Sequence, residues 1–146
     1  MTVTVCNRQR LRRVDVRRLK EIALAALQHT GAAPGQQLNI VLVSDTAIAK
    51  LNRQFHNCEG PTDILTFYYG DKTGELIISV EHALSQAGRF RSTPSRELAL
   101  YVIHGILHLH GHDDLSPRPR ARMRAAERRL LKTVATSAGW RGLISR

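Results

Sequence analysis

Histidines are concentrated in one short stretch of the sequence. Four of the seven histidines fall within nine residues, from His104 to His112, in the run HGILHLHGH. His104 and His108 are four residues apart, so on a helix their imidazoles project from the same face, one turn apart. Two imidazoles in that arrangement can bind one metal ion. The pair therefore predicts two ligands of a metal site.

A third ligand is predicted just after this helix. Gly111 can take the left-handed conformation that ends a helix, and the chain then turns back so that Asp114 faces the same ion. His112 is the alternative ligand. On a continuous helix, however, His112 would lie about 12 Å from His104 along the axis, too far to share an ion at ligand distances of about 2 Å.

The helix that carries the histidines is predicted to be buried. Its apolar residues lie nearly all around the axis, and polar side chains on such a helix need partners. The polar side chains are spaced four, three and four residues apart and so form one stripe, which consists of Glu97, Tyr101, His104 and His108. With Asp114 as ligand, Asp113 is expected to point elsewhere, and His110 to face solvent or cap the helix end. Core histidines held by hydrogen bonds alone are the alternative to a metal site.

The remaining sequence predicts the elements that position this stripe. Alternating and β-branched runs predict strands at Thr2 to Asn7, Leu38 to Val43, Ile64 to Tyr69 and Leu76 to Ser79. Helical periodicity and capping signals predict helices at Val14 to Gln28, Asp45 to about Phe55, Glu81 to Ala87, Pro94 to Leu109 and Pro119 to Ser137. The loop from Gly70 to Gly74 suits a hairpin. We expect an α+β fold, with a small mixed sheet of about four strands packed against about five helices and the metal site at the end of a central buried helix.

Length and charge indicate one basic domain. A chain of 146 residues with 42% hydrophobic content can fill a single core, so we expect one domain over residues 1–146. Its net charge of +10 favours a polyanionic partner, with a merely soluble basic surface as the alternative. Seven basic residues lie from Arg8 to Lys20 and nine from Arg118 onward. If the two helices in these regions are neighbours, they form one positive face.

Cysteine usage and hydropathy indicate a cytoplasmic protein. Cys6 and Cys58 are far apart and form no C-x-x-C motif, so the sequence predicts neither a disulfide framework nor a cysteine zinc site. No apolar run approaches the roughly 18 residues of a membrane span. The first residues lack the apolar stretch of a secretory signal, although their arginine content leaves a transit peptide as an alternative.

The histidine-rich run resembles the signature of a known family. Residues 104–114, HGILHLHGHDD, resemble the H-G-x-L-H-L-x-G-Y-D-H motif of the YbeY family, bacterial rRNA maturation factors described as metal-dependent single-strand endoribonucleases. Three further segments resemble motifs of the same family. Leu51, Asn52 and Phe55 resemble its L-N-x-x-Y-R motif, and residues 61–67, PTDILTF, resemble its P-T-[DN]-V-L-S-F run. Residues 74–79, GELIIS, resemble its G-D-I-x-I-S strand. Met123 with Glu127 resembles its M-x-x-x-E closing helix. The matching segments span about residues 38–131.

The resemblance implies both an activity and a cofactor. It implies a single-strand-specific endoribonuclease that acts in 16S rRNA 3′-end maturation and ribosome quality control, with rRNA, the ribosomal small subunit and its proteins as partners. It places one divalent metal, with Zn²⁺ first, on His104 and His108, while Asp114 replaces the third family histidine. His56 stands where the family has an arginine, and Arg53, one helical turn earlier, can supply the missing cation. Arg53 and His56 are therefore the predicted catalytic residues.

Other charged and aromatic residues are candidates for RNA contacts. Backbone phosphates are expected to meet Arg53, Arg118, Arg120 and Arg122. Three consecutive aromatic residues, Phe67, Tyr68 and Tyr69, offer faces for base stacking, but we expect at least one or two of them to be buried. The matching segments also contain three acidic residues, which are Glu59, Asp63 and Glu75. The sequence favours none of them as the general base.

Two other functions remain open at this point. The altered third ligand and the lost arginine favour a ribosome assembly factor that binds rRNA without cutting it, with the metal holding residues 111–114 on the helix. Metzincin-like metalloproteases share the ligand spacing H-x-x-x-H-x-x-G-x-x-[HD]. They need a glutamate directly after the first histidine, where this chain has Gly105, so proteolysis is disfavoured.

Overall fold

The computed structural model describes residues 1–32, 34–58, 60, 62–112 and 114–145. These residues form four strands and five helices, which confirms the predicted α+β fold. The strands are β1 (Thr2–Asn7), β2 (Gln37–Val43), β3 (Ile64–Gly70) and β4 (Thr73–Ser79). The helices are α1 (Val16–His29), α2 (Asp45–His56), α3 (Val80–Arg89), α4 (Pro94–Leu109) and α5 (Pro117–Ser137).

The four strands form a mixed sheet in the order β1-β2-β4-β3. β2 pairs in parallel with both β1 and β4, and β3 pairs antiparallel to β4. The predicted hairpin is present, but its loop is shorter than the five residues expected. Asp71 and Lys72 both adopt positive φ, 47° and 61°, as a type I′ turn requires, so β4 already begins at Thr73.

Alternation along the strands separates two apolar layers. On one face of the sheet, inward residues of β2 and β4 such as Ile40 and Leu76 join the main core with α1, α3, α4 and α5. On the other face, a smaller cluster includes Leu65 and Ile77, covered by Ile48 of α2. The large layer therefore contains α4, the helix with the histidine pair.

Helix α4 lies at the centre of the main core. It contacts α1, α3, α5, β3 and β4, and it begins at Thr93, whose side chain accepts the Arg96 N–H. A Cβ at Gly105 would lie 2.6 Å from side-chain atoms of both Ile64 and Leu76. Glycine therefore allows α4 to approach the β3–β4 hairpin closely.

Three helices begin at residues other than those predicted, and one of them, α3, begins at Val80, one residue earlier than expected. α1 begins at Val16 because the Asp15 side chain accepts the Arg18 N–H as N-cap, while Val14 forms a bridge with Ile144. α5 begins at Pro117, two residues earlier than predicted. The two basic helices, α1 and α5, are in contact. None of the helices in the described ranges has the length and hydropathy that a membrane crossing requires.

Candidate metal centre

The end of α4 turns the chain back on itself. Gly111 has φ of 95°, and its N–H donates to the His108 carbonyl at 3.1 Å. The next N–H, of His112, donates to the Leu107 carbonyl at 3.0 Å. This pair of hydrogen bonds is a Schellman motif, which reverses the chain at a left-handed glycine. The predicted helix end is confirmed, and the reversal brings Asp114 back beside α4.

Three side chains converge at this reversal. The Nε2 atoms of His104 and His108 are 3.0 Å apart, and the Asp114 carboxylate lies 3.7 Å from the first and 3.9 Å from the second. One ligand atom from each residue lies within 4.8 Å of the others. Within the part of the chain that the structure describes, no other three His, Cys, Asp or Glu side chains converge in this way.

Glu127 of α5 sets the orientation of the first histidine. Its Oε1 lies 2.7 Å from Nδ1 of His104, so Nδ1–H donates to the carboxylate and Nε2 presents a lone pair. The His108 ring has a backbone hydrogen bond with His112, and its Nε2 also faces inward. Two inward-facing imidazole nitrogens and a carboxylate are a donor set that fits a divalent cation such as zinc. The sequence pattern placed Glu127 in a motif but assigned it no role.

The two histidines differ in basicity. Burial lowers the pKa of His104, but the hydrogen bond and negative charge of Glu127 outweigh it, with help from Asp63 and Asp114, so the net pKa lies above its usual value. Burial and the nearby His104 together lower the pKa of His108. The carboxylate of Glu127 thus acts on one ring of the pair and makes it the stronger base.

Three of the four residues of the polar stripe of α4, all except His108, line a cavity of about 600 Å³. Glu97 and Tyr101 are 7% and 5% exposed, and both line this cavity together with His104 and Asp114. Burial raises the pKa of the Tyr101 phenol, and the charges of nearby carboxylates raise it further, so the phenol stays protonated. The predicted stripe therefore forms one wall that leads to the convergent group.

The predicted catalytic pair lies elsewhere. Arg53 and His56 are exposed on the last turn of α2, and neither lines the cavity. The His56 ring instead lies 5.8 Å from the ring of Phe67. The structure thus does not bring this pair into the cavity wall.

Two of the three candidate acidic residues lie in the described part of the chain, since Glu59 lies outside it. Of these two, Asp63 lines the cavity, and its Oδ1 accepts the Ile64 N–H at 2.8 Å. Glu75 instead accepts a hydrogen bond from the Tyr69 hydroxyl at 2.9 Å. Asp63 is therefore better placed than Glu75 to act beside the convergent group.

Only one of the three arginines predicted on α5 lines the cavity. Arg118, Arg120 and Arg122 are all exposed, and Arg120 is the one at the cavity wall, where its Nε donates to the Asp114 backbone carbonyl at 3.3 Å. Arg124, which sequence reasoning did not single out, also lines the cavity. Arg124 lies four residues after Arg120 and three before Glu127, so all three side chains share one face of α5. This spacing is the signal in the sequence that predicts Arg124 at the cavity.

The other histidines of the run face a second cavity. His110 and His112 line it together with His29 at the end of α1. His110 is the C-cap residue of α4, and its Nδ1 lies 2.8 Å from the Ile106 carbonyl, so this side chain caps the helix end. His112, the alternative ligand, is thus outside the convergent group, and Asp113 lies outside the described residues.

The three consecutive aromatic residues differ in exposure. Phe67 packs partly against the smaller apolar cluster, whereas Tyr68 and Tyr69 are 64% and 61% exposed. Both tyrosines are exposed because they lie at the end of an edge strand that pairs on one side only, so the expected burial extends at most to Phe67. Phe90, which the sequence did not indicate, is 67% exposed and lines the cavity beside His104 and Asp114, called below the metal-site cavity.

Comparisons with known proteins agree on one family. The family model described as endoribonuclease YbeY matches residues 4–135. Proteins named Endoribonuclease YbeY are 32% identical over 140 residues in Heliobacterium modesticaldum, covering 84% of each chain, and 35% identical over 131 residues in Moorella thermoacetica, covering 80% of this chain and 84% of that one. A solution structure of a Thermotoga maritima protein superposes with a TM-score of 0.68 at 25% identity, covering 97% of this chain and 93% of the other. The chain belongs to the YbeY family.

Proposed function

We propose that this protein is a metal-dependent endoribonuclease that cuts single-stranded RNA. The observation that carries the proposal is the convergence of two imidazole nitrogens and one carboxylate beside a cavity that two of these ligands, His104 and Asp114, and two arginines line. Its relatives carry the name of an endoribonuclease, which supplies the reaction class.

His104, His108 and Asp114 would hold the metal, with zinc as the first choice. A divalent cation bound there would polarise a phosphoryl oxygen and activate water. Glu127 fixes the ring of His104 through its 2.7 Å hydrogen bond, so that one ligand is oriented before any metal binds. The carboxylate of Asp114 leaves the site with less positive charge than a third imidazole would.

Other cavity residues supply phosphate binding and proton transfer. Arg120 and Arg124 place two guanidinium groups at the wall, where they can pair with phosphate oxygens on either side of the reacting bond. Asp63 offers a carboxylate that can accept a proton from water. Phe90 offers a largely exposed ring on which an unpaired base can stack, which favours a single strand over a duplex.

The biological substrate that fits this proposal is rRNA. A net charge of +10 suits a polyanionic partner, and the family resemblance suggests 16S rRNA 3′-end maturation and ribosome quality control on the small subunit in the cytoplasm. Arg53, Arg118 and Arg122 are exposed and lie outside the cavity wall, so they would contact RNA away from the reacting phosphate.

Cleavage of a defined single-stranded RNA by metal-loaded protein tests the proposal. The wild type should cut it, Asp114→Ala should lose both metal and cleavage, and His110→Ala should retain both. Asp63→Asn should reduce kcat while metal content stays unchanged. Preparations must be freed of contaminating nucleases. Equal cleavage by wild type and Asp114→Ala would exclude catalysis at this site.

A non-catalytic assembly factor is the alternative, and one observation favours it. Arg53 and His56, the predicted catalytic pair, would have to reach the reacting phosphate from outside the cavity wall. In that case the metal only stabilises the turn after α4, and the basic surface binds rRNA. The protein would then bind RNA and metal in the same assay without cutting.

Proteolysis finds no support in the structure. The residue after His104 packs against the β3–β4 hairpin, where even a Cβ would lie 2.6 Å from Ile64 and Leu76 side-chain atoms. This position holds no glutamate, and a larger side chain there would require the Ile64 and Leu76 side chains to shift. Incubation with unfolded protein substrates and zinc should therefore give no cleavage dependent on His104.

A further inference from the structure

Helix α5 carries a row of cations that extends beyond the metal-site cavity. The row consists of residues four apart, which lie on one slowly turning ridge of a helix, and its members are Arg120, Arg124, Arg128 and Lys132. Each step rises about 6 Å along the helix axis, so the row is about 18 Å long. This step is comparable to the separation of successive phosphates in a nucleic-acid strand. The row therefore offers regularly spaced positive charges to a regularly spaced polyanion.

The far end of the row enters a separate cavity. The first two members line the metal-site cavity, whereas Arg128 and Lys132 line another cavity of about 590 Å³. Trp140, the one tryptophan of the chain, also lines the cavity of Arg128 and Lys132. Two further arginines, Arg96 and Arg129, complete its positive charge, and among the residues that the structure describes no acidic one lines it.

Most of these cations have no acidic partner. Arg96 lies 4.0 Å from the Glu97 carboxylate, but in the described part of the chain Arg128, Arg129 and Lys132 form no ion pair. Clustered positive charges repel one another, and an anion that binds among them relieves this repulsion. The cavity is thus suited to an anion, and an indole beside it is suited to an aromatic base.

We infer that the cavity beside Trp140, called here the Trp140 cavity (Arg96, Arg128, Arg129, Lys132 and Trp140), is a distal RNA-binding subsite. It holds phosphates of the strand that passes through the metal-site cavity, and a base stacks on Trp140. The inference rests on the proposed function for its substrate. An acidic protein segment would match the charge, but it would not use the regular spacing of the row or its continuity with the metal-site cavity.

Tryptophan fluorescence tests the subsite without any cleavage. The full-length protein is titrated with oligouridylates of about four and about twelve nucleotides in the presence of a chelator, so that the RNA stays intact. The longer strand should quench Trp140 and bind about tenfold more tightly than the shorter one. Absence of quenching by the longer strand, or equal quenching by polyglutamate, would overturn the inference.

A matched pair of variants locates the binding on the row. Arg128→Gln with Lys132→Gln keeps the reporter and should weaken the longer strand about tenfold, with the slope of log affinity against log salt reduced by about 1.4. The control, Arg13→Gln with Arg17→Gln, removes the same charge from two exposed residues that are also four apart in the sequence, and neither residue lines either cavity. The control should bind nearly as the wild type does. Equal weakening in both variants would contradict the subsite.

Cleavage assays with metal-loaded protein separate this inference from the proposed function. If the subsite exists, Trp140→Leu should raise KM for the longer RNA about fivefold, leave kcat unchanged, and leave cleavage of the shorter RNA unchanged. Cleavage with no preference for the longer strand would overturn the subsite and leave the nuclease intact. Quenching by RNA without any cleavage would overturn the nuclease and leave the binding subsite.

Discussion

The two halves of the histidine-rich run behave differently although they are adjacent in sequence. His104 and His108 face Asp114 and Glu127, whereas His110 and His112 line a cavity on another side of α4. Two residues along a helix rotate a side chain by about 200°, so His110 cannot share the face of His108. Histidine density alone therefore does not define a site, because helical phase divides the residues between two surfaces.

The partners of the imidazoles also differ between the two halves. His104 and His110 each have Nδ1 in a short hydrogen bond, at 2.7 Å and 2.8 Å. The acceptor for His104 is the Glu127 carboxylate, whereas the acceptor for His110 is only a backbone carbonyl. A carboxylate acceptor makes the opposite nitrogen a better metal donor. The Glu127 carboxylate thus distinguishes His104 from the helix cap His110, whereas His108, whose ring also bonds to the backbone, is distinguished by the side chains that its Nε2 faces.

Removal of one histidine from each half should give the largest contrast. His104→Ala should reduce bound metal from one ion per chain to almost none and reduce RNA cleavage by at least about 100-fold, because two ligands cannot hold the ion. His110→Ala should keep both properties close to those of the wild type. Elemental analysis with the cleavage assay measures both. If His104→Ala retained the metal, or His110→Ala lost it, the different roles of the two histidines would be contradicted.

Neutralising the carboxylate behind His104 should have the next largest effect. Glu127→Gln should weaken metal affinity about 10- to 100-fold, because the amide no longer supplies a charged acceptor for Nδ1–H. A chelator competition titration measures this affinity. The control is Glu21→Gln, which removes an exposed carboxylate that pairs only with Arg17 on the surface. An unchanged affinity in Glu127→Gln would show that the acceptor does not matter.

Substitution of the glycine that divides the two halves should have a smaller effect. Gly111→Ala should lower the free energy of unfolding by about 1–2 kcal/mol, because a side chain disfavours φ of 95° even though nothing lies within 4 Å of the added Cβ. Thermal unfolding of metal-free protein measures this change. Gly88→Ala is the control, since Gly88 lies inside α3 with equal space, and there alanine should stabilise by about 0.5–1 kcal/mol. Similar melting shifts in the two variants would contradict a left-handed requirement at Gly111.

The smallest effect is expected from a change of ligand type. Asp114→His should shift the pH optimum of cleavage down by about one unit, because a third neutral imidazole leaves more positive charge at the site and water there ionises more readily. Cleavage rates across a pH series, at saturating metal, measure the shift. Identical pH profiles for the wild type and Asp114→His would show that the charge of Asp114 does not set the pH optimum.

Local patterns predicted much of the fold. Every predicted strand and helix is present, because alternation, helical periodicity and capping residues such as Thr93 act over a few neighbouring positions. Boundaries moved for different reasons. α1 starts at Val16 because Val14 pairs with the distant residue Ile144. The hairpin loop is short because Asp71 and Lys72 adopt left-handed backbone conformations, which residues other than glycine seldom adopt.

The candidate site was predicted less completely. The i, i+4 histidine pair and the glycine three residues later are local signals, so their grouping with Asp114 followed from helix geometry. Arg124 and Phe90 belong to other helices, and the sequence does not say which face of α5 or which end of α3 meets α4. His56 is predicted from its position in the motif and Arg53 from its place one helical turn earlier, whereas the packing of α2 on the opposite face of the sheet leaves both outside the cavity wall.

The sequence by itself determined the helical phase of the histidine pair, the turn at Gly111 and the surplus of positive charge, because these properties depend on residue type and local spacing. Only the tertiary structure decided that Glu127 lies behind His104, that Asp63 and two arginines share its cavity, and that the row on α5 leads to Trp140. These juxtapositions depend on how helices pack across tens of residues. Packing is decided by the shape of the whole core, which no local pattern contains.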